Sequence, residues 1–197
     1  GKVVFGRRSN QDEYIPIGKV DWQISDKHSL FGRFEMARLT TPSDSDGQTI
    51  LSISQPDYYR HAKTFVLGDT YSISPTMVSS FRGSVLRTVN DKTLPDIFSF
   101  SDIGVKGTVL PNNFPKIALI SVSGAFSILS APATPSISNS TAYMFADDLS
   151  WIRGTHQVGL GVSHVHNMMN YTSATAAPGT MAFTTVNTGL ALGDFMI

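Results

Sequence analysis

Three stretches of this chain alternate apolar and polar residues with period two, and each doubles back across a short polar turn. Side chains along a strand point to opposite faces in turn, so this pattern writes an apolar face and a polar face onto the same backbone. The first stretch covers residues 13–25, a turn at 26–29 and a return over 30–38. Tyr14, Gly18, Val20, Trp22 and Ile24 share one parity; Lys19, Asp21, Gln23 and Ser25 share the other. On the return, Leu30, Phe34 and Met36 share a face, while Arg33 and Glu35 sit opposite with Phe31 and Ala37.

The second stretch runs over 64–73, turns at 74–76 on Pro75, and returns over 77–88. Phe65, Leu67 and Tyr71 share a face broken by Asp69. On the return, Met77, Phe81 and Val85 lie opposite Ser80, Arg82 and Ser84. The third covers 142–152, a turn at 153–155 and a return over 156–168. Here Tyr143, Phe145, Leu149 and Trp151 share one face, as do Val158, Leu160, Val162 and His164 on the return.

Each strand reads as roughly ten residues, the length a tilted strand needs to cross a bilayer; soluble strands are usually about half that. The connections between hairpins are unlike the turns. Residues 39–63, 89–141 and 169–197 read as long loops, a length uncommon inside compact domains. Short turns at one end and long loops at the other are the layout of outer-membrane barrels. The expected fold is therefore all-β: part of a transmembrane antiparallel barrel, about three hairpins with short periplasmic turns and long extracellular loops. Residues 1–197 read as a fragment of one barrel domain. Within the last loop, 179–185 reads as a short strand and 190–196 as a short helix or apolar plug.

Composition agrees. Fifteen basic and fifteen acidic residues give zero formal net charge, with no basic excess for a nucleic-acid binder. Only 15% of residues are charged against 41% hydrophobic, where a soluble domain carries about 25% charged. Without cysteine, disulfides and thiolate metal sites are excluded. No apolar run is long enough for a spanning helix, so membrane crossing has to use strands.

Several motifs carry a more specific resemblance. Gly18-Lys19-Val20-Asp21-Trp22, with His28-Ser29-Leu30-Phe31-Gly32-Arg33-Phe34, resembles the early barrel region of Oar-like TonB-dependent outer-membrane receptors. Ser74-Pro75-Thr76-Met77-Val78 with Phe81-Arg82-Gly83 is similar to a second hairpin of that family. Asp102-Ile103-Gly104-Val105 and Phe114-Pro115-Lys116-Ile117 resemble an extracellular segment. Asp148-Leu149-Ser150-Trp151-Ile152-Arg153-Gly154-Thr155-His156 resembles a further hairpin. Phe183-Thr184 with Thr188-Gly189-Leu190-Ala191-Leu192-Gly193-Asp194-Phe195-Met196 resembles one more segment of that family. The matches recur in family order. Gln157 departs from the usual small hydroxyl, and Ser79-Ser80 from the family's Asn-Glu. The resemblance implies a longer protein with a plug domain, energised by the TonB system. Its expected partners are outer-membrane lipid, the barrel-assembly machinery, and a small-molecule, oligosaccharide or peptide ligand. The expected location is the bacterial outer membrane.

Among individual residues, Lys19, Asp21, Arg33, Glu35 and Arg82 are candidate lumen-facing ligand contacts; the plainer reading is cross-strand pairing that satisfies an inner wall. Trp22, Tyr71, Tyr143 and Trp151 are candidate membrane-interface aromatics, against a reading as ordinary sheet aromatics. His164 and His166 share a face, but a metal needs three or four convergent ligands, and they read as an interfacial pair. Neither Asp147-Asp148 nor Ser150 with His156 assembles nucleophile, base and orienter, so no enzymatic activity and no cofactor are expected. Two rivals stand: a soluble or secreted β-sandwich for binding or adhesion, and a passive porin. In a sandwich, Val20, Phe34, Phe81, Leu149 and Leu160 would enter one core; in a barrel wall they would face lipid.

Overall fold

The computed structural model describes residues 10–45, 50, 53, 55–93, 102, 104, 106, 119–128, 136–173 and 180–197. The three alternating stretches form consecutive antiparallel hairpins of one sheet. Its strands are β1 (Asp12–Tyr14), β2 (Ile17–Ser25), β3 (His28–Thr41), β4 (Asp57–Ser74), β5 (Met77–Thr93), β8 (Ser136–Arg153) and β9 (His156–Ser173). The order is β1-β3-β4-β5-β8-β9, with β2 also on β3. β1 and β2 are one interrupted strand: Tyr14 faces Arg38 and Ile17 faces Glu35 without loss of register. The break falls at Pro16, which has no N–H to donate; its carbonyl still accepts from Met36 N at 3.1 Å. Six strand positions result.

The register joins the apolar faces of all three hairpins into one surface. Gly18 faces Phe34, Phe34 faces Phe65, Phe65 faces Val85, Val85 faces Tyr143 and Tyr143 faces His166. No second sheet covers it among the described residues. Val20 is 72% exposed, Leu160 65% and Phe34 45%. A sandwich would bury these residues, so the structure removes that rival and the surface is the lipid-facing side of a wall. Its polar members satisfy each other. His28 Nε2 lies 2.9 Å from Asp69 Oδ1, and Ser79 Oγ donates to Asp147 Oδ1 at 3.0 Å.

The turns are tighter than the sequence suggests. They occupy residues 26–27, 75–76 and 154–155, so His28, Ser29, Ser74 and Arg153 belong to strands. The first two hairpins absorb one extra residue at a register shift beside the turn, between Gln23 and Ser25 and between Ser72 and Ser74. In the third, Gly154 takes a left-handed φ of 63°, open to glycine at little cost.

Successive hairpins are staggered in one direction. His28, just past the first turn, faces Tyr71, four residues short of Pro75. Met77, just past the second, faces Trp151, three short of Gly154. Each turn consequently docks on the next strand: Lys27 O accepts from Ser72 N and Thr76 O from Ile152 N, both at 2.8 Å. A steady slip of this kind is the shear that tilts strands and closes a barrel.

The strands are also longer than the ten residues expected. β4, β8 and β9 each have 18. Residues 39–41, 57–63, 89–93, 136–141 and 169–173, read above as loop, continue the wall beyond the apolar band. There both faces meet water and the two-sided pattern fades.

A second, small sheet comes from the long-loop ends. β6 (Leu119–Val122) pairs with β7 (Phe126–Ile128) and, in parallel, with β10 (Thr180–Phe183). The helix α1 (Ala191–Met196) joins them. Ile53, Ile120, Val122 and Ala191 are its buried core. Phe195 sets its edge against Phe126 and Phe183, with centroids 5.4 and 5.2 Å apart. The strand expected at 179–185 and the helix expected at 190–196 are β10 and α1.

On the polar face, Phe31 lies flat over Gly68, its cross-strand partner. A Cβ on Gly68 would collide with the Phe31 ring at Cε1. Gly68→Ala is therefore expected to cost about 1–3 kcal/mol by overpacking. Phe31→Ala in the same protein should recover most of that loss, measured as the urea midpoint of the folded barrel in lipid. Additive losses would show that the ring moves aside freely.

Candidate functional site

The wall's polar face carries the candidate ligand contacts. Lys19 stands opposite Arg33, Asp21 opposite Phe31, and Glu35 between Ile17 and Thr64. Like charges directly opposite each other repel, so the expected cross-strand pairing does not form. Each cation turns instead to the acid two residues along its own strand, about 7 Å away at the backbone. Lys19 Nζ lies 2.7 Å from Asp21 Oδ1, and the Arg33 guanidinium pairs with Glu35 Oε2. The ammonium of Lys19 also sits 5.4 Å from the Phe31 ring centre. The result is a neutral patch of four charges.

Arg82 is on the same face but apart from this patch. Its cross-strand neighbours are Gly68 and Ala146, and it is exposed, with no ion pair among the described residues. Small neighbours leave it room to project from the wall.

A second cationic cluster lies further up this face, in segments the sequence reading left as loops. Arg60 stacks on Tyr58 at 4.2 Å and Lys92 on the same ring at 5.2 Å. Tyr58 faces Thr41 and Lys92; Arg60 faces Leu39 and Asn90. The run Tyr58-Tyr59-Arg60-His61 was the available signal, but with no apolar face it did not read as strand.

The four aromatic candidates are all on the opposite, apolar face. Trp22 stands four residues before Asp26, Tyr71 four before Pro75 and Trp151 three before Gly154; Tyr143 stands eleven before Gly154. Three thus share a level near the turns, and Tyr143 lies near the other end of the band. Arg153 stacks on Trp151 at 5.7 Å.

His164 and His166 also share that face, opposite Phe145 and Tyr143, and no metal-binding group of three converges among the described residues. Asp147 and Asp148, being adjacent, point to opposite faces; so do Ser150 and His156.

A staggered antiparallel wall, apolar on one continuous face and polar on the other, with tight turns at one end and elaborated connections at the other, defines a transmembrane β-barrel protein of the bacterial outer membrane. The family model described as "Outer membrane beta barrel domain" matches residues 2–197. The chain belongs to that family. No curated protein and no solved structure gives a match.

Proposed function

We propose that this chain forms wall and mouth of a TonB-dependent receptor, in which the extracellular connections capture a scarce ligand and a plug domain, moved through TonB, lets it pass. One observation carries the reading. The last segment that resembles the Oar-like receptors, from Phe183 to Met196, folds into the loop-side module, and its shared residues do the folding. The Asp194 carboxylate accepts from Asn187 N at 3.0 Å, Thr188 N at 2.7 Å and Thr188 Oγ1 at 2.6 Å. Phe195 closes the aromatic core. A folded module at the mouth suits ligand capture more than free diffusion. On this reading Lys19, Asp21, Arg33, Glu35 and Arg82 line the lumen, and Tyr58, Arg60 and Lys92 its outer rim. Trp22, Tyr71 and Trp151 sit at the periplasmic interface and Tyr143 at the outer one. The ligand is a siderophore, an oligosaccharide or a peptide.

A plugged receptor and an open porin differ in conductance. The full-length protein in a planar bilayer bathed in potassium chloride is expected to show no steady channel, and to be retained by the periplasmic domain of TonB. Stable open-channel steps from the untreated protein would establish the porin instead.

A further inference from the structure

Above the apolar band, the outer face of the wall changes character in one step. Phe34, Phe65, Val85 and Tyr143 form the last apolar row. The next row places Lys63 directly opposite Arg87, and the one beyond places Arg38 opposite His61. Lys63, Arg87 and Arg38 are all exposed. Arg87 Nη1 donates to Thr141 Oγ1 at 2.9 Å, and Arg38 stacks on Tyr59 at 5.2 Å. Lys63 is flanked by Met36, Arg87, Phe65 and His61; Arg87 by Lys63, Thr141, Val85 and Val89. None is acidic. Of the acids on this face, Asp69 and Asp147 lie nearer the turns, where His28 and Ser79 occupy them, and the others lie further out. Asp91 faces Tyr59 and Ile137, Asp12 faces Thr40, and Asp57 accepts from Ser43 N at 2.8 Å.

The height of the cluster identifies its surroundings. Arg38 lies eleven residues past Lys27, Lys63 twelve before Pro75, and Arg87 eleven past Thr76. All three therefore share a level although they come from three strands. From Tyr71 to Lys63 is eight residues, about 21 Å of rise at 3.4 Å per residue and a tilt near 40°. That is close to the apolar band of such barrels, roughly 25 Å. The cations consequently stand where hydrocarbon gives way to headgroups on the side away from the turns, which is the outer leaflet.

Two cations held directly opposite repel, more strongly beside a low-dielectric layer than in water. An anion bridging them removes that cost. Guanidinium and ammonium groups both suit phosphate, the first by paired hydrogen bonds and the second as a point charge. We infer that Lys63, Arg87 and Arg38 form a docking site on the outside of the barrel for the phosphate-bearing glycolipid headgroup of the outer leaflet. The cations meet its phosphates while its acyl chains lie over Phe34, Phe65 and Val85. The site is independent of what the barrel transports.

Native mass spectrometry of the full-length protein tests this, with bis-phosphorylated lipid A added in neutral detergent. The unsubstituted protein is expected to retain lipid A on the order of tenfold better than the dephosphorylated lipid with the same acyl chains. Lys63→Gln with Arg87→Gln should reduce the retention of lipid A by a similar factor. Equal retention of the two lipids would overturn the site, leaving only apolar contact. Displacement of lipid A by millimolar inorganic phosphate would also overturn it, in favour of a free-anion site. If the double variant does not assemble, the comparison of the two lipids on the unsubstituted protein decides.

Discussion

Leu67→Arg is expected to lower the stability of the folded barrel by about 2–4 kcal/mol, the cost of a cation at mid-depth on a lipid-facing strand. Leu67 stands midway along β4 between Tyr71, near the turn, and Lys63, in the first row past the apolar band. It is 41% exposed on the apolar face, between two glycines, Gly32 and Gly83. An arginine there has the longest path to water in either direction, and the acid two residues along its own face, Asp69, is already held by His28. The control is Thr64→Arg, on the opposite face of the same strand, where the new cation stands across from Glu35. It should cost less than about 1 kcal/mol, as exposed pairs do. Urea unfolding of the full-length protein in lipid vesicles reads both. Equal losses would mean that both faces meet the same medium, and would sink the assignment of inside and outside.

Asp194→Ala should open the loop-side module while leaving the wall intact. The carboxylate is buried and receives two backbone amides and a hydroxyl across residues 187–188. Those bonds pin the 184–190 connection to α1, whose own N-terminus has no side-chain cap. The helix has six residues, too few to persist alone, so Phe195 loses its place between Phe126 and Phe183 once the connection is freed. Amide exchange over β6, β10 and α1 is expected to accelerate on the order of tenfold or more, with β4, β5 and β8 unchanged. Unchanged exchange in the module would show that its apolar core alone maintains it.

The same bonds hold the Asp194 carboxyl below the usual carboxylate range, first through the Thr188 hydroxyl and then the Asn187 amide. A folded pKa below the unfolded one means the stabilisation is complete above the ordinary value, about 3.9, and fades as pH falls through the folded value. The module should therefore loosen in acid below about pH 4, and the Asp194→Ala protein should show no such step.

Where the two faces of a strand met different solvents, the sequence was enough. Val20, Trp22, Phe34, Phe65, Phe81, Leu149 and Leu160 stand out by parity alone, because lipid on one side and a polar lumen on the other forced alternation onto each strand. Pro75 and Gly154 marked turns for equally local reasons. Above the membrane both faces meet water, and Tyr58, Arg60, His61, Asn90, Lys92 and Ser138 carry no alternation to read. Only pairing with neighbours shows them to be strand. The charges on the polar face follow the same division. Their face was evident from parity, but whether Lys19 would meet an acid or Arg33 depended on register, a property of two strands together. The loop module depended on tertiary structure most of all. Ile53, Ile120, Val122 and Ala191 come from three separate connections, and none can bury its apolar surface within its own segment. By itself the sequence determined a membrane wall and which way each residue of its core points. Register and long-range burial decided how far the wall extends, how its charges are neutralised, and that its long connections have a core of their own.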